Sequence, residues 1–240
     1  ATTEAFAVYG EVDENGAVGQ PVAPPSKVFP QFGGLEVTTS STQLQALTDA
    51  VLYLVRYPFE CGEQLSSRVL SIAALKDVLG AFHAEGLPSP SALIAFIGRD
   101  IEKLRALQCA DGGFALWNRD ELEFPYVSVH VTRALVVADK KGFTVPRDVL
   151  ERAKGYLQAI ESHYPSYYSA EARRAITAYA LYVRHLMDDH DAAKARALIT
   201  EAGGVDKMPM EALGWLLMVL SKQQADATDI RTFLANHVTE

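Results

Sequence analysis

From residue 43 onward the sequence repeats a helical pattern with few interruptions. Apolar residues recur every three or four positions, as in Leu44, Leu47 and Leu54 before the break at Pro58. The loops between these stretches are short and rich in Gly, Pro and Asp, so consecutive helices are predicted to pack antiparallel. The first predicted helix begins at residue 43, and the others span residues 62–83, 90–107, 125–141, 146–161, 169–187, 190–202, 208–222 and 226–237.

The first 42 residues have a different pattern, which predicts strands and loops. Phe6, Val8 and Val12 alternate with other residues, and residues 21–30 are rich in proline. We therefore predict two regions: a strand-rich segment with a linker over residues 1–42, and an all-α domain over residues 43–240.

Composition excludes several classes of partner. Apolar residues make up 49% of the chain, which is enough for a core, and the formal net charge is −8. No lysine or arginine cluster suggests a nucleic-acid surface, and no apolar run approaches the roughly 18 residues that cross a bilayer. We expect no nucleic-acid partner and no membrane insertion by this segment. A start at Ala1 without methionine or signal peptide predicts a piece of a longer protein.

Residues 108–117 read Gln-Cys-Ala-Asp-Gly-Gly-Phe-Ala-Leu-Trp. They resemble the Q-x-x-D-G-G-F-x-x-W loop of α/α toroids, which include thioester domains, terpene cyclases and prenyltransferase β subunits. Adjacent glycines allow a tight turn, and Phe114 and Trp117 are expected to pack between helices. The resemblance implies an α/α toroid. Nine predicted helices are fewer than the full ring of that family, so we expect an incomplete one.

Cys61 and Gln64 lie three residues apart at the predicted start of a helix, where side chains at that spacing are neighbours. The sulfur can attack the Gln64 amide carbon, expel ammonia and leave an internal thioester. Pro58 is compatible with a helix start, and exposed N–H groups in the first turn favour a thiolate. The sequence predicts Cys61 and Gln64 as the reactive pair.

Residues 57–68, Tyr-Pro-Phe-Glu-Cys-Gly-Glu-Gln-Leu-Ser-Ser-Arg, resemble the C-x-E-Q thioester motif of the alpha-2-macroglobulin and complement family. Tyr57-Pro58 and Ser66-Ser67-Arg68 are similar to the bacterial branch, whereas Gly62 stands at its position as in the animal members. The resemblance implies that Glu63 belongs to the motif without reacting, and that Tyr57 shields the thioester from water. Phe59 is expected to be a core residue.

The resemblance also implies a function. The chain would be the thioester domain of a bacterial alpha-2-macroglobulin-like protease inhibitor, a single-turnover trap rather than an enzyme, with no cofactor. Its partners would be target proteases, linked covalently through Gln64 by a lysine amine, and the other macroglobulin domains of the parent chain. The parent protein would lie in the periplasm or outside the cell, free or membrane-anchored.

Two alternatives stay open at the level of sequence. One is a toroid enzyme, a hydrolase, lyase or transferase, which would need convergent acids or a metal set in a central cavity. The other is a passive helical scaffold with a disulfide between Cys61 and Cys109.

The remaining polar residues predict no further chemistry. The six histidines show no metal-ligand spacing with cysteine or carboxylates, and His185 and His190 are expected in a solvated acidic loop. His130 is expected to be a packing residue, and Ser66 and Ser67 a helix surface. No histidine of the acyl-transferring kind is recognised, so lysine amines are expected to attack directly.

Overall fold

The structure of the protein, a computed structural model, describes residues 57–77, 88–119 and 123–237, with a few positions before residue 57. The chain divides into two compact units, Ala1–Thr42 and Gln43–Glu240. The strands predicted in the first unit and most of the helix predicted from residue 43 lie outside the described residues. The domain assignment therefore stays a prediction.

Within the described part of the second unit the architecture is all-α, as predicted. No strand occurs among the described residues, and the only β-type pairing there is a single bridge between Gln108 and Phe114. Two short 3₁₀-helices, Ile160–His163 and Val205–Lys207, interrupt the helical pattern. The α-helices are α1 (Gly62–Leu75), α2 (Pro90–Ala106), α3 (Pro125–Lys140), α4 (Arg147–Gln158), α5 (Ala170–Leu186), α6 (Ala192–Ala202), α7 (Met210–Val219) and α8 (Gln224–His237).

Local sequence signals explain several helix ends. Ser169 and Asp191 are N-caps whose side chains accept a hydrogen bond from the backbone N–H three residues on. Gly203, at φ 98°, closes α6 in a left-handed conformation that glycine adopts without steric cost.

Three predicted helices are several residues shorter in the structure, and the one predicted over residues 208–222 spans only Met210–Val219. The helix predicted over residues 62–83 ends at Leu75, and a turn follows at residues 76 and 77. The helix predicted over residues 146–161 ends at Gln158 and continues as a 3₁₀-helix. Pro165 ends this 3₁₀-helix, because the residue before a proline avoids the helical region and Tyr164 is indeed extended.

The helices are arranged in two layers. The odd-numbered helices contact one another in sequence, α1 against α3, α3 against α5, and α5 against α7. Each even-numbered helix packs on this row: α2 on α1, α4 on α3 and α5, α6 on α5 and α7, and α8 on α7. This alternation is the arrangement of an α/α toroid.

The core confirms one of the two aromatic plugs and contradicts the other. Phe114 is fully buried in the cluster formed by α1 to α4, whereas Trp117 is 52% exposed. Trp117 follows the tight part of the loop, where the chain turns back toward solvent before α3. The sequence pattern correctly predicted that Phe114 packs between helices. It did not predict that Trp117 faces solvent.

Candidate functional site

Cys61 and Gln64 lie together at the start of α1. Cys61 is the N-cap and Gln64 the third helical residue, and the sulfur faces the Gln64 backbone N–H. In the other direction, the Cys61 backbone N–H donates to Gln64 Oε1 at 3.1 Å. This reciprocal arrangement is a capping box, and it folds the Gln64 carboxamide back over the cysteine. Cys61 is only 5% exposed and Gln64 is half-buried, so the sulfur is sheltered from water.

Gly62 has a steric reason to be glycine. Its N–H donates to Leu116 O at 2.7 Å, and a Cβ built on Gly62 would lie 2.8 Å from Ala115 O. The backbone of the loop at residues 108–117, the glycine loop hereafter, therefore lies directly against the first turn of α1. Any side chain at position 62 would push the two apart.

The glycine loop is itself anchored to α4. Gln108 Nε2 donates to Gly112 O and to Val149 O, at 3.2 and 2.9 Å, and Arg152 donates to Gln108 Oε1. Gly112 has φ 96°, and a Cβ there would lie 2.3 Å from Arg152 O. Gln108 and Gly112 thus fix the loop backbone that lies against the turn of Cys61 and Gln64.

A buried ion pair lies on the other side of the turn that carries Cys61 and Gln64. Arg68 donates to both carboxylate oxygens of Asp100, at 2.7 and 2.9 Å, and the two residues are 3% and 2% exposed. Arg68 also donates to Glu60, the residue before Cys61, and Lys103 pairs with the same carboxylate. The hydrogen bonds from Lys103 and Arg68 lower the pKa of Glu60. Residue 60 is therefore fixed to α1 and α2 together.

A chain of hydrogen bonds runs from α1 to α5. Ser67 Oγ lies 2.8 Å from Glu63 Oε1 and 2.9 Å from His130 Nε2, and His130 Nδ1 lies 2.9 Å from Tyr179 OH. Arg133 donates to the same phenol oxygen at 3.4 Å.

The two ends of this chain fix its direction. Ser67 donates its one hydroxyl hydrogen to Glu63 Oε1, so it must accept from His130 Nε2. His130 Nδ1 then accepts from Tyr179 OH, whose oxygen accepts from Arg133. Burial, more than the nearby Arg133 charge, lowers the pKa of His130, which fits this neutral tautomer.

These contacts correct several predictions. Ser66 is fully buried and donates to Glu63 O, and Ser67 is bonded on both sides, so the pair is not a helix surface. Phe59 is 59% exposed rather than part of the core. His130 does pack against Tyr126, as expected, with ring centroids 6.1 Å apart, but it is also a hydrogen-bonded link between helices.

Tyr57 is half-buried, four residues before the cysteine. Its ring lies between Tyr53 and Phe59, with centroid distances of 5.5 and 5.7 Å. The three aromatic rings form a short cluster on the approach to Cys61.

Cys61 and Cys109 are both buried and are not joined to each other. The sulfur of Cys109 faces Leu107 O and Arg119 O, at 3.8 and 3.7 Å. The geometry gives no support to the scaffold with a Cys61 to Cys109 disulfide.

Several known proteins are similar to the chain over part of its length. No protein-family model matches the chain. Among curated proteins, the alpha-2-macroglobulin homolog of Yersinia pestis is 27% identical over 68% of the chain and 8% of its own length. The E. coli alpha-2-macroglobulin is 33% identical over 44% of the chain and 7% of its own length. Circularly permutated Ras protein 2 of Dictyostelium discoideum is 33% identical over 60% of the chain and 4% of its own length.

Solved structures show the same fold. The crystal structure of native E. coli alpha-2-macroglobulin from domain MG7 to the C-terminus matches with a TM-score of 0.64 and 24% identity, over 79% of this chain and 30% of that one. The trypsin-activated E. coli protein matches with a TM-score of 0.61 and 25% identity, over 75% of this chain and 13% of that one. In sequence and in fold the chain is similar to bacterial alpha-2-macroglobulins.

The similarity covers a small part of each relative. The chain spans 4 to 8% of the length of these curated relatives. Among the described helices of the chain, none is both long and apolar enough to cross a membrane.

Proposed function

We propose that Cys61 and Gln64 form an internal thioester, and that the parent macroglobulin uses it to trap proteases covalently. The capping box at the start of α1 carries this proposal, because it brings the thiol and the carboxamide against each other. The Cys61 sulfur bonds to the Gln64 side-chain carbon, and the amide nitrogen leaves as ammonia with the thiol proton. Gly62 and the glycine loop hold the turn in which this occurs.

Acyl transfer would then follow the chemistry of an activated ester. A lysine amine of the protease attacks the Gln64 acyl carbon, the carbon–sulfur bond breaks, and Cys61 leaves as a thiolate that regains a proton. The thiolate is easily displaced, because it is a far better leaving group than an amide nitrogen. The energy stored on forming the thioester drives the transfer. The product is an amide between Gln64 and the protease lysine.

The hydrogen bonds of His130 support direct attack by the amine. Both ring nitrogens are occupied, one by Ser67 and one by Tyr179. An acyl-imidazole at His130 would require the loss of at least one of these bonds. The aromatic cluster of Tyr53, Tyr57 and Phe59 would limit access of water before activation.

The names of solved relatives fit this proposal. One is a Salmonella alpha-2-macroglobulin reacted with methylamine, and another is an E. coli alpha-2-macroglobulin activated by porcine elastase. By analogy, the partners of this segment are proteases and the neighbouring macroglobulin domains, in a parent protein of the periplasm or cell exterior.

Mass spectrometry of freshly purified parent protein tests the thioester. We expect a mass one ammonia below the encoded value, and methylamine should add its mass at Gln64 and release one titratable thiol. Cys61→Ala should abolish incorporation, whereas Cys109→Ala should leave it intact. An encoded mass that methylamine does not change would contradict the thioester.

Conjugation tests the trap separately. Trypsin should form an SDS-resistant conjugate with the parent protein but not with its Cys61→Ala variant, although trypsin cleaves both of these proteins. Equal yields of conjugate would contradict covalent trapping through Cys61, even where the thioester itself is present.

A further inference from the structure

Three possible metal ligands from separate segments meet beside the glycine loop. Asp111 lies in that loop, Glu123 lies just before α3, and His163 ends the 3₁₀-helix after α4. Asp111 Oδ2 and Glu123 Oε1 lie 3.6 and 3.3 Å from His163 Nδ1. The three donor atoms all lie within 4.8 Å of one another. No sequence spacing predicts this cluster, because its members are far apart along the chain.

The backbone and packing hold each of these side chains in place. The Gly113 N–H donates to Asp111 Oδ1 at 3.0 Å, which leaves the other oxygen facing His163. The His163 ring packs on Tyr156, with centroids 4.0 Å apart, and Tyr156 is 2% exposed. A carboxylate and an imidazole oriented in this way by neighbouring groups are typical of ligands with a supporting outer shell.

Gly113 makes room for the cluster. A Cβ at this position would lie 2.6 Å from Tyr156 Cε2 and 3.0 Å from Glu123 Cγ. The second glycine of the recognised pattern therefore lets Glu123 and Tyr156 close on the loop from two sides. Gly113 is therefore required for close packing and not for its backbone conformation, because its φ is not in the left-handed region.

No described lysine or arginine pairs with the two carboxylates of the cluster. Among the described residues, neither Asp111 nor Glu123 forms an ion pair with lysine or arginine, and each pairs only with His163. Two carboxylates share one imidazole, so a cation with two positive charges would match them.

We propose that Asp111, Glu123 and His163 bind a divalent transition-metal ion such as Zn²⁺, through Oδ2, Oε1 and Nδ1. Ligand bonds of about 2.0 to 2.2 Å in a tetrahedral site place donor atoms roughly 3.3 to 3.5 Å apart, close to the two separations above. A fourth position stays open to water. The ion would join the 3₁₀-helix after α4 to the glycine loop, whose Leu116 O contacts Gly62.

Calorimetric titration of the protein with ZnCl₂ in a buffer that does not chelate metal tests the proposal. We expect one equivalent to bind, and a thermal midpoint raised by about 5 to 10 °C at a hundredfold excess over Kd. Asp111→Asn keeps the acceptor for Gly113 and His163→Phe keeps the packing on Tyr156, so both should fold. Each should weaken binding at least tenfold.

Matched controls identify where the ion binds. His185 and His190 face each other with Nδ1 atoms 3.0 Å apart, and His190→Phe should leave the high-affinity equivalent unchanged. Cys61→Ala should also leave it unchanged, which separates this site from the proposed thioester. The proposal is overturned by an absence of binding at millimolar zinc, or by binding that is lost in either control and kept in Asp111→Asn. In that case the cluster is only a set of close contacts of His163 with two carboxylates.

Discussion

The two halves of the described domain bury very different side chains. Six of the seven buried polar residues lie between residues 66 and 132, around the start of α1: Ser66, Arg68, Asp100, Gln108, Ser128 and Thr132. In the described second half Thr177 is the only buried polar residue, and the core of α5 to α8 otherwise consists mainly of aliphatic and small residues with the buried ring of Tyr179. Buried polar groups require specific partners, so they fix geometry at a cost in stability. In the half that carries Cys61 and Gln64, specific polar contacts therefore fix the positions of the side chains. The other half is held together mainly by apolar packing.

The largest expected effect comes from breaking the buried ion pair of the first half. Arg68→Ala leaves Asp100 buried without its cation and should lower the free energy of unfolding by about 3 to 5 kcal/mol. Arg184 of α5 pairs with Asp189 nearer the surface, and Arg184→Ala should cost roughly 1 to 2 kcal/mol. Urea denaturation of the two variants measures the difference. Equal losses would contradict the contrast between the halves.

Alanine substitutions of the two aromatic residues of the glycine loop should differ nearly as much in the free energy of unfolding that they cost. Phe114→Ala removes a fully buried ring and should cost about 3 to 5 kcal/mol. Trp117→Ala, at an exposed position of the same loop, should change stability by no more than about 1 kcal/mol. A large loss for Trp117→Ala in urea denaturation would mean that the loop lies differently against the helices.

Two glycines provide the next test. Gly62→Ala must displace the Ala115 carbonyl and should cost roughly 1 to 3 kcal/mol. Gly214, inside α7, has no atom within 4 Å of a built Cβ, so Gly214→Ala should stabilise by up to about 1 kcal/mol. Opposite signs in thermal unfolding would support a closer backbone approach at Gly62, in the half that carries Cys61 and Gln64, than at Gly214. Stabilisation by both would contradict it.

Periodicity and local motifs predicted much of this organisation. The helical stretches, the Cys61 and Gln64 neighbours and the buried Phe114 all follow from patterns within a few residues. The contacts of Arg68 with Asp100 and of Ser67 with His130 cross 32 and 63 residues. A helical stripe shows which face of a helix is buried but not which helix covers it. The sequence therefore could not predict these polar partners or the exposure of Phe59 and Trp117.

The smallest expected effect concerns the pH dependence of the polar half. Burial lowers the pKa of His130 in the folded protein, whereas the unfolded chain titrates near 6.5. Below that pH the unfolded state binds a proton that the folded state does not. The contribution of His130 to stability is therefore present above about pH 6.5 and is lost as the pH falls toward its folded pKa.

His130→Gln should remove this part of the pH dependence. Glutamine keeps a donor and an acceptor for Ser67 and Tyr179 but does not titrate. The urea midpoint of the unchanged protein should fall between pH 7.5 and 5.5, and it should fall less for His130→Gln. His237→Gln, at an exposed position of α8, should keep the original slope. If all three proteins showed the same slope, His130 would not be held neutral by its burial, and the direction assigned to the hydrogen bonds from Arg133 to Glu63 would be wrong.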